Sequence, residues 1–337
     1  MRDVKFSNSN TAYAIAAAIG ALTATAIINA KLARKAERAN PPAGSFIEID
    51  GVLLHVVERG EGPPLVMFHG NGAMIQDFES SGLIDQASQT NRVIVFDRPG
   101  FGHSGRPRSH LWTPAAQADL FHAALKQLGV SEAVILGHSW GTCVAVQMAL
   151  RHPEMVTSLV LASGYFYPTL QPGFVGLAMP AVPGLGDIIR YTLAPLLSRA
   201  MWPLVLRKVF GPSQPPEKFS GFPVEMAVRP SQLRAAAAET GMMIPYAFAA
   251  RDEYQSLSMP VAIIAGDADR VVSFSQSKRL HREIQGSTLH RLRGAGHMIH
   301  QTHTAAVMGA IRQAALSVSN ENKPLPAARR GADRAAE

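Results

Sequence analysis

The stretch "ILGHSWGTCVAVQMAL", residues 135–150, decides how this chain is read. The preceding "AVILGH" (133–138) has the apolar content of a buried strand, and the run after Gly141 suits a buried helix. Between them, Gly137-His138-Ser139-Trp140-Gly141 leaves room for one tight turn. Such a turn needs small residues two positions either side of its apex, and Gly137 and Gly141 supply them. Ser139 then stands at the carboxyl end of a strand and above the first turn of a helix. Free N–H groups and the helix dipole favour developing negative charge there.

A serine hydroxyl is a poor nucleophile at neutral pH and needs a base. Two later stretches offer partners. "IIAGDADRVVSF" (263–274) ends an apolar strand and places Asp267 and Asp269 in the following loop. "LRGAGHMIH" (292–300) puts His297 after small residues beyond a last strand. Serine, then aspartate, then histidine is an order in which catalytic triads occur, and strand ends gathered on one sheet edge would let the three meet. Whichever aspartate lies outside such a triad reads as an N-cap for the next helix. His138 reads as a packed neighbour of the turn. Asp97 and Arg98 read as structural support for the loop facing it, and Cys143 as core.

The rest of the chain supplies a scaffold. "FIEIDGVLLHVVERG" (46–60) reads as two strands around an Asp50-Gly51 hairpin turn. "PLVMFHG" (64–70), "RVIVFD" (92–97), "SLVLAS" (158–163) and "VAIIAGD" (261–267) are further apolar strands, and "TLHRLR" (288–293) is a weaker one. Thr113 to Leu128 has helical spacing, with Thr113 as N-cap and Pro114 in the first turn. Strands alternating with helices predict an α/β fold with a mostly parallel sheet covered on both faces. Residues 168–259 break that rhythm. They are rich in Pro, Met and Leu and predict a cap insertion of short helices, because proline recurs too often for long ones. The domain reading is therefore core at 41–167 and 260–318, cap at 168–259 and a disordered polar tail at 319–337.

Four stretches together resemble the α/β-hydrolase fold superfamily, in its serine esterase and lipase branch. They are "HGNG" (69–72), "DRPGFGHS" (97–104), "GHSWG" (137–141) and the pair "GDADRVV"/"GAGHM", in family order over roughly 46–316. The resemblance implies Asp269 as the triad acid, with Asp267 the lesser candidate, beside Ser139 and His297. It implies an oxyanion hole from the backbone N–H groups of Asn71 and Trp140, with the indole of Trp140 narrowing an acyl pocket. Neither a metal nor an organic cofactor is implied. Asn71 and Trp140 also resemble the haloalkane dehalogenase branch, but there the nucleophile is aspartate. A serine alkoxide displacing halide would leave an ether that water does not readily cleave. The activity implied is hydrolysis of lipophilic carboxylic esters. The rival readings are a cofactor-free peroxidase or C–C bond hydrolase on the same triad, and a non-catalytic binding protein that keeps the fold.

Charge and the N-terminal region set the surroundings. Net charge is +7, and residues 1–40 carry six basic and two acidic groups. The excess lies mostly at one end, which argues against a nucleic-acid partner. One cysteine in 337 residues excludes an intrachain disulfide. "TAYAIAAAIGALTATAIINA" (11–30) is twenty uncharged residues, long enough for a hydrocarbon core of about 30 Å. Nine are alanine, so it is a weak inserter. It predicts a single-pass membrane anchor over 1–40 with its basic flank. Lys31, Arg34, Lys35 and Arg38 follow the run and place the catalytic part in the cytoplasm. Alternatives are a signal peptide cleaved after Ala24-Thr25-Ala26, which would export the protein, and a peripheral amphipathic helix.

Overall fold

The computed structural model describes residues 8–169 and 174–321. Eight strands form one sheet: β1 (Ser45–Ile49), β2 (Val52–Arg59), β3 (Pro64–Phe68), β4 (Arg92–Phe96), β5 (Ala133–His138), β6 (Val156–Ala162), β7 (Val261–Gly266) and β8 (Thr288–Leu292). Their order is β1-β2-β4-β3-β5-β6-β7-β8. The first two run antiparallel to their neighbours, and β3 to β8 are parallel. Asp50 and Gly51 both take positive φ, +49° and +75°, as a two-residue hairpin turn requires.

Strand periodicity explains the two covered faces. Val66, Phe68, Ile94, Phe96 and Ile135 point to one side, where Phe121 packs 4.8 Å from the ring of Phe68. Leu65, Met67, Val93, Val95 and Leu136 point to the other, against Phe78 and Ile311. The covering helices are α2 (Ile75–Ser81), α3 (Leu83–Ala87), α4 (Pro114–Gln127), α5 (Gly141–Arg151), α11 (Phe274–Glu283), α12 (Ile299–Thr302) and α13 (Thr304–Glu321). Thr113 caps α4 as expected, its Oγ1 accepting from Ala116 N–H at 3.1 Å.

Between β6 and β7 lie α6 (Phe174–Ala178), α7 (Leu185–Tyr191), α8 (Leu193–Phe210), α9 (Val224–Ala227) and α10 (Pro230–Ala250). Two of these correct the expectation of short helices. α8 has 18 residues and α10 has 21, each with an internal proline, Pro203 and Pro245. A proline removes one i→i−4 bond, and packing of the remaining turns on the body outweighs that loss. Pro195 and Pro230 sit in first turns, where no N–H partner is needed.

The N-terminal helix, α1 (Asn8–Ala39), is longer than the uncharged run and continues through the basic flank. Thr11–Ala39 is apolar and long enough to cross a membrane, and its most apolar stretch is unburied. At the other end, α13 runs to Glu321, so Ser319, Asn320 and Glu321, expected in the tail, are helical. Residues 322–337 lie outside the described residues.

Candidate active site

The sequence forces the turn at Ser139. A Cβ on Gly137 would come within 2.5 Å of Gly141 O, and one on Gly141 within 2.1 Å of Phe68 O. Ser139 itself takes φ +52°, a left-handed conformation that few L-residues adopt. The strain is held by Ser139 N–H donating to Ala162 O and by Thr142 N–H donating to Ser139 O.

Because β5, β7 and β8 are parallel, the loops after them share one edge, and three of the expected residues meet there. His297 Nε2 lies 2.9 Å from Ser139 Oγ, and His297 Nδ1 lies 2.7 Å from Asp269 Oδ2. The other oxygen, Asp269 Oδ1, accepts from the backbone N–H groups of Val271 (2.7 Å) and Val272 (2.9 Å). Those two amides fix the carboxylate plane and aim Oδ2 at the imidazole. His297 is 4% exposed. Its backbone N–H donates to Val209 O at the end of α8, so α8 grips the histidine loop.

Asp267 does not reach His297. Its carboxylate accepts from Arg291 Nε at 2.8 Å and Gly294 N–H at 2.7 Å. These partners, the Gly294 amide first, lower its pKa. The N-cap role expected for the spare aspartate is also corrected: α11 is capped by Ser273. The backbone N–H groups of Asn71 and Trp140 donate to no acceptor among the described residues, and Asn71 faces the cavity with Ser139.

The cavity over Ser139 holds about 350 Å³. Its walls are largely apolar, with Trp202, Val205, Leu206 and Val209 from α8 and Met243 from α10. The indole of Trp140 is not among them. It is fully buried and packs 6.1 Å from the ring of Tyr246, its Nε1 without a partner. Trp140 begins the first turn of α5 in helical conformation, which sends the side chain beneath α10 rather than into the pocket. The Asn71 side chain is tied to the cavity wall, its Nδ2 donating to Ala236 O and Thr240 Oγ1 of α10.

Arg98 explains how the loop before Asn71 is held. Its guanidinium donates to His69 O (2.8 Å) and Gly70 O (3.0 Å) and forms a two-pronged pair with Glu239. Arg98 and Glu239 are both fully buried. His69 Nδ1 donates to Gly70 O while its Nε2 accepts from Arg98 N–H, so the ring must be neutral. Burial first, then Arg98, pushes its pKa down to about 3. Asp97 accepts from the Ile75 and His103 N–H groups and contacts His55 Nδ1 at 2.7 Å. The structural reading of Asp97 and Arg98 therefore stands, with Glu239 the partner that sequence reasoning missed. A lone acid in "AAAAETG" (235–241) is the signal that could have found it.

Behind the turn lies a second polar group. Asp77, His138 and His300 are buried, with one candidate ligand atom each inside 4.8 Å of the others. They are the buried residues here that could hold a metal. His300 Nε2 stands 3.0 Å from Asp77 Oδ2, and His138 Nε2 lies 3.2 Å from His297 O. Burial raises the Asp77 pKa, but the facing His300 and a bond from Gln301 outweigh it and hold the carboxyl at about 2. Burial, with His300 and His297 close by, pushes His138 well below the ordinary imidazole value. His138 is a packed neighbour of the turn, as expected.

A family model described as alpha/beta hydrolase fold matches residues 63–304. The chain is similar to a 2-hydroxymuconate semialdehyde hydrolase of Pseudomonas putida, 32% identical over 157 residues. That match covers 47% of this chain and 52% of the relative, so the chain spans about half the relative's length. A thermophilic esterase from Thermogutta terrifontis superposes with TM-score 0.68 at 22% identity, covering 82% of this chain and 99% of that one. A bacterial membrane phospholipase A superposes with TM-score 0.61 at 21% identity, covering 90% and 97%. At those identities the two solved structures speak to the fold alone.

Proposed function

The chain belongs to the α/β-hydrolase fold family, and we propose that within it the protein is a membrane-anchored serine hydrolase of lipophilic carboxylic esters. One observation carries the reading: the continuous relay from Ser139 Oγ through His297 to Asp269, at the foot of an apolar cavity. In this account Ser139 Oγ attacks the ester carbonyl carbon as His297 Nε2 takes its proton. The carbonyl oxygen becomes an oxyanion held by the N–H groups of Asn71 and Trp140, worth roughly 2.7–4 kcal/mol per donor. Collapse breaks the bond to the alcohol, which leaves with the proton from His297. Water, deprotonated by the same nitrogen, then releases the acid from Ser139. Asp269 keeps Nδ1 protonated and stabilises the cation that forms at each step.

Apolar walls favour an acyl chain. A dienoate substrate of a C–C hydrolase would bring a carboxylate into the pocket. Among the described lining residues, the one permanent cation is Lys208, which is exposed. In the same account α1 is the anchor. The test is turnover by the detergent-solubilised full chain. p-Nitrophenyl esters of increasing chain length and a 2-hydroxy-6-oxo-dienoate would be offered side by side. Ester turnover rising with chain length is expected. Turnover of the dienoate with none of any ester would overturn the proposal.

A further inference from the structure

The cap carries apolar residues on its outside as well as its inside. Along α8, Leu193, Leu196, Leu197, Met201 and Leu204 are all exposed, and their spacing gathers them on one helix face. α7 adds Leu185, Ile188 and Tyr191, also on one face, and packs directly on α8. Single exposed leucines are ordinary, but aligned faces on consecutive helices form a patch that calls for an occupant.

The position of α1 says what that occupant is. From Thr11 to Ile28 no residue of α1 is buried. At Asn29, 1% exposed, the helix is fastened to the body: Nδ2 donates to Tyr191 O (2.9 Å) and Thr192 O (2.8 Å), at the α7–α8 junction. Glu37 then pairs with Arg229 at 2.7 Å, so the second half of α1 lies along the cap. The free segment rises about 27 Å, close to the thickness of a hydrocarbon core. If it spans a bilayer, the point where α1 first grips the body lies at the bilayer surface, and the apolar patch starts at that point. Exposed Lys31, Arg34 and Lys35 follow at headgroup depth, and exposed Arg207 and Lys208 close α8. A second copy on this patch would meet the same cations, whereas anionic headgroups complement them. Leu177 of α6 and Val205 of α8 line the cavity over Ser139 and are also exposed, so its mouth opens through the patch.

We propose that the outer face of α6–α8 is a lipid-docking surface that rests in the bilayer α1 crosses. The cavity then receives its substrate, an amphiphilic ester, from the lipid phase between Leu177 and Val205. The docking rests on α1 as an anchor, and the identity of the substrate rests on the ester reading of Ser139.

The full chain would be reconstituted in vesicles of phosphatidylcholine and phosphatidylglycerol. Variants Leu197→Cys, Leu204→Cys and Leu316→Cys would each carry an environment-sensitive fluorophore. Leu316 lies on α13, which contacts the sheet side of the molecule. Labels at 197 and 204 are expected to shift to the blue and to be quenched by lipids brominated in the acyl chains, with no effect at 316. Water-like, unquenched emission at both cap positions overturns the proposal. So does a label shielded from water but not quenched by lipid, together with crosslinked dimers, which would assign the patch to a second copy. Independently, Leu197→Asp with Leu204→Asp should slow turnover of a vesicle-borne long-chain ester by more than about tenfold. Turnover of p-nitrophenyl acetate in detergent should stay unchanged. An equal loss on both substrates would count against docking. No ester turnover by the unaltered chain would sink the ester reading, while the quenching result would still decide the docking.

Discussion

Replacing Asp269 by asparagine should nearly abolish turnover without unfolding the protein, and the reason is local. Asp269 Oδ1 accepts two backbone N–H groups, from Val271 and Val272. An asparagine here must place its carbonyl oxygen toward those donors, because its NH₂ cannot accept. The NH₂ then takes the place of Oδ2 and points at His297 Nδ1. The imidazole answers by presenting a lone pair at Nδ1 and moving its proton to Nε2, so Ser139 Oγ faces a donor and loses its base. In a Ser-His-Asp triad the wrong tautomer is worth about 10⁴ in kcat, or about 5.5 kcal/mol of barrier. Asp267→Asn weakens a surface ion pair with Arg291, which contributes little to stability, and should leave kcat preserved. The assay is kcat on one soluble p-nitrophenyl ester for both variants, with near-ultraviolet circular dichroism to show the fold intact. Asp269→Asn within tenfold of the parent, or equal losses at the two positions, would refute the reasoning.

Other consequences follow from the groups around the relay. Glu239→Ala strands the buried guanidinium of Arg98 and should cost about 3–5 kcal/mol in urea unfolding; kcat should also fall as the loop before Asn71 loosens, and a change under about 1 kcal/mol would show that the pair does not hold that loop to α10. Because the Trp140 indole is buried outside the pocket, Trp140→Ala should destabilise by about 3–5 kcal/mol and leave the preference for acyl chain length unmoved, which one ester series on two proteins would show. His69 has an ordinary value of 6.5 and a folded value of about 3. Between those limits the unfolded chain binds more protons than the folded one, so stability should fall as pH falls through that window, by up to about 1.4 kcal/mol per unit. Urea midpoints at pH 7, 6, 5 and 4 measure this, and a flat profile would contradict the neutral ring.

Much of this arrangement was legible in the chain because it is local. Gly137 and Gly141 flank Ser139 in sequence as well as in space, and Asp50-Gly51 specifies its own turn. Alternation along "LVMF" and "VIVF" states which residues cover each sheet face. What lay hidden depends on contacts across long separations. Glu239 meets Arg98 from 141 positions away, and Thr240 meets Asn71 from 169. No local pattern announces either. The direction of the Trp140 side chain followed from where α5 begins, a matter of backbone angle that residue type does not carry. The length of α8 and α10 is not legible in the chain, because proline reports a lost hydrogen bond and not the packing that compensates it. The Asp77–His138–His300 group leaves no local pattern, since its members belong to three unconnected segments.

The central claim is that Ser139 carries the acyl group. It is tested most directly by incubating the solubilised full chain with a fluorophosphonate and locating the adduct by peptide mass spectrometry. The account predicts one adduct, on Ser139, with ester turnover lost in step, and neither label nor turnover in Ser139→Ala. An adduct on another residue, or turnover by Ser139→Ala at the parent's rate, would contradict it.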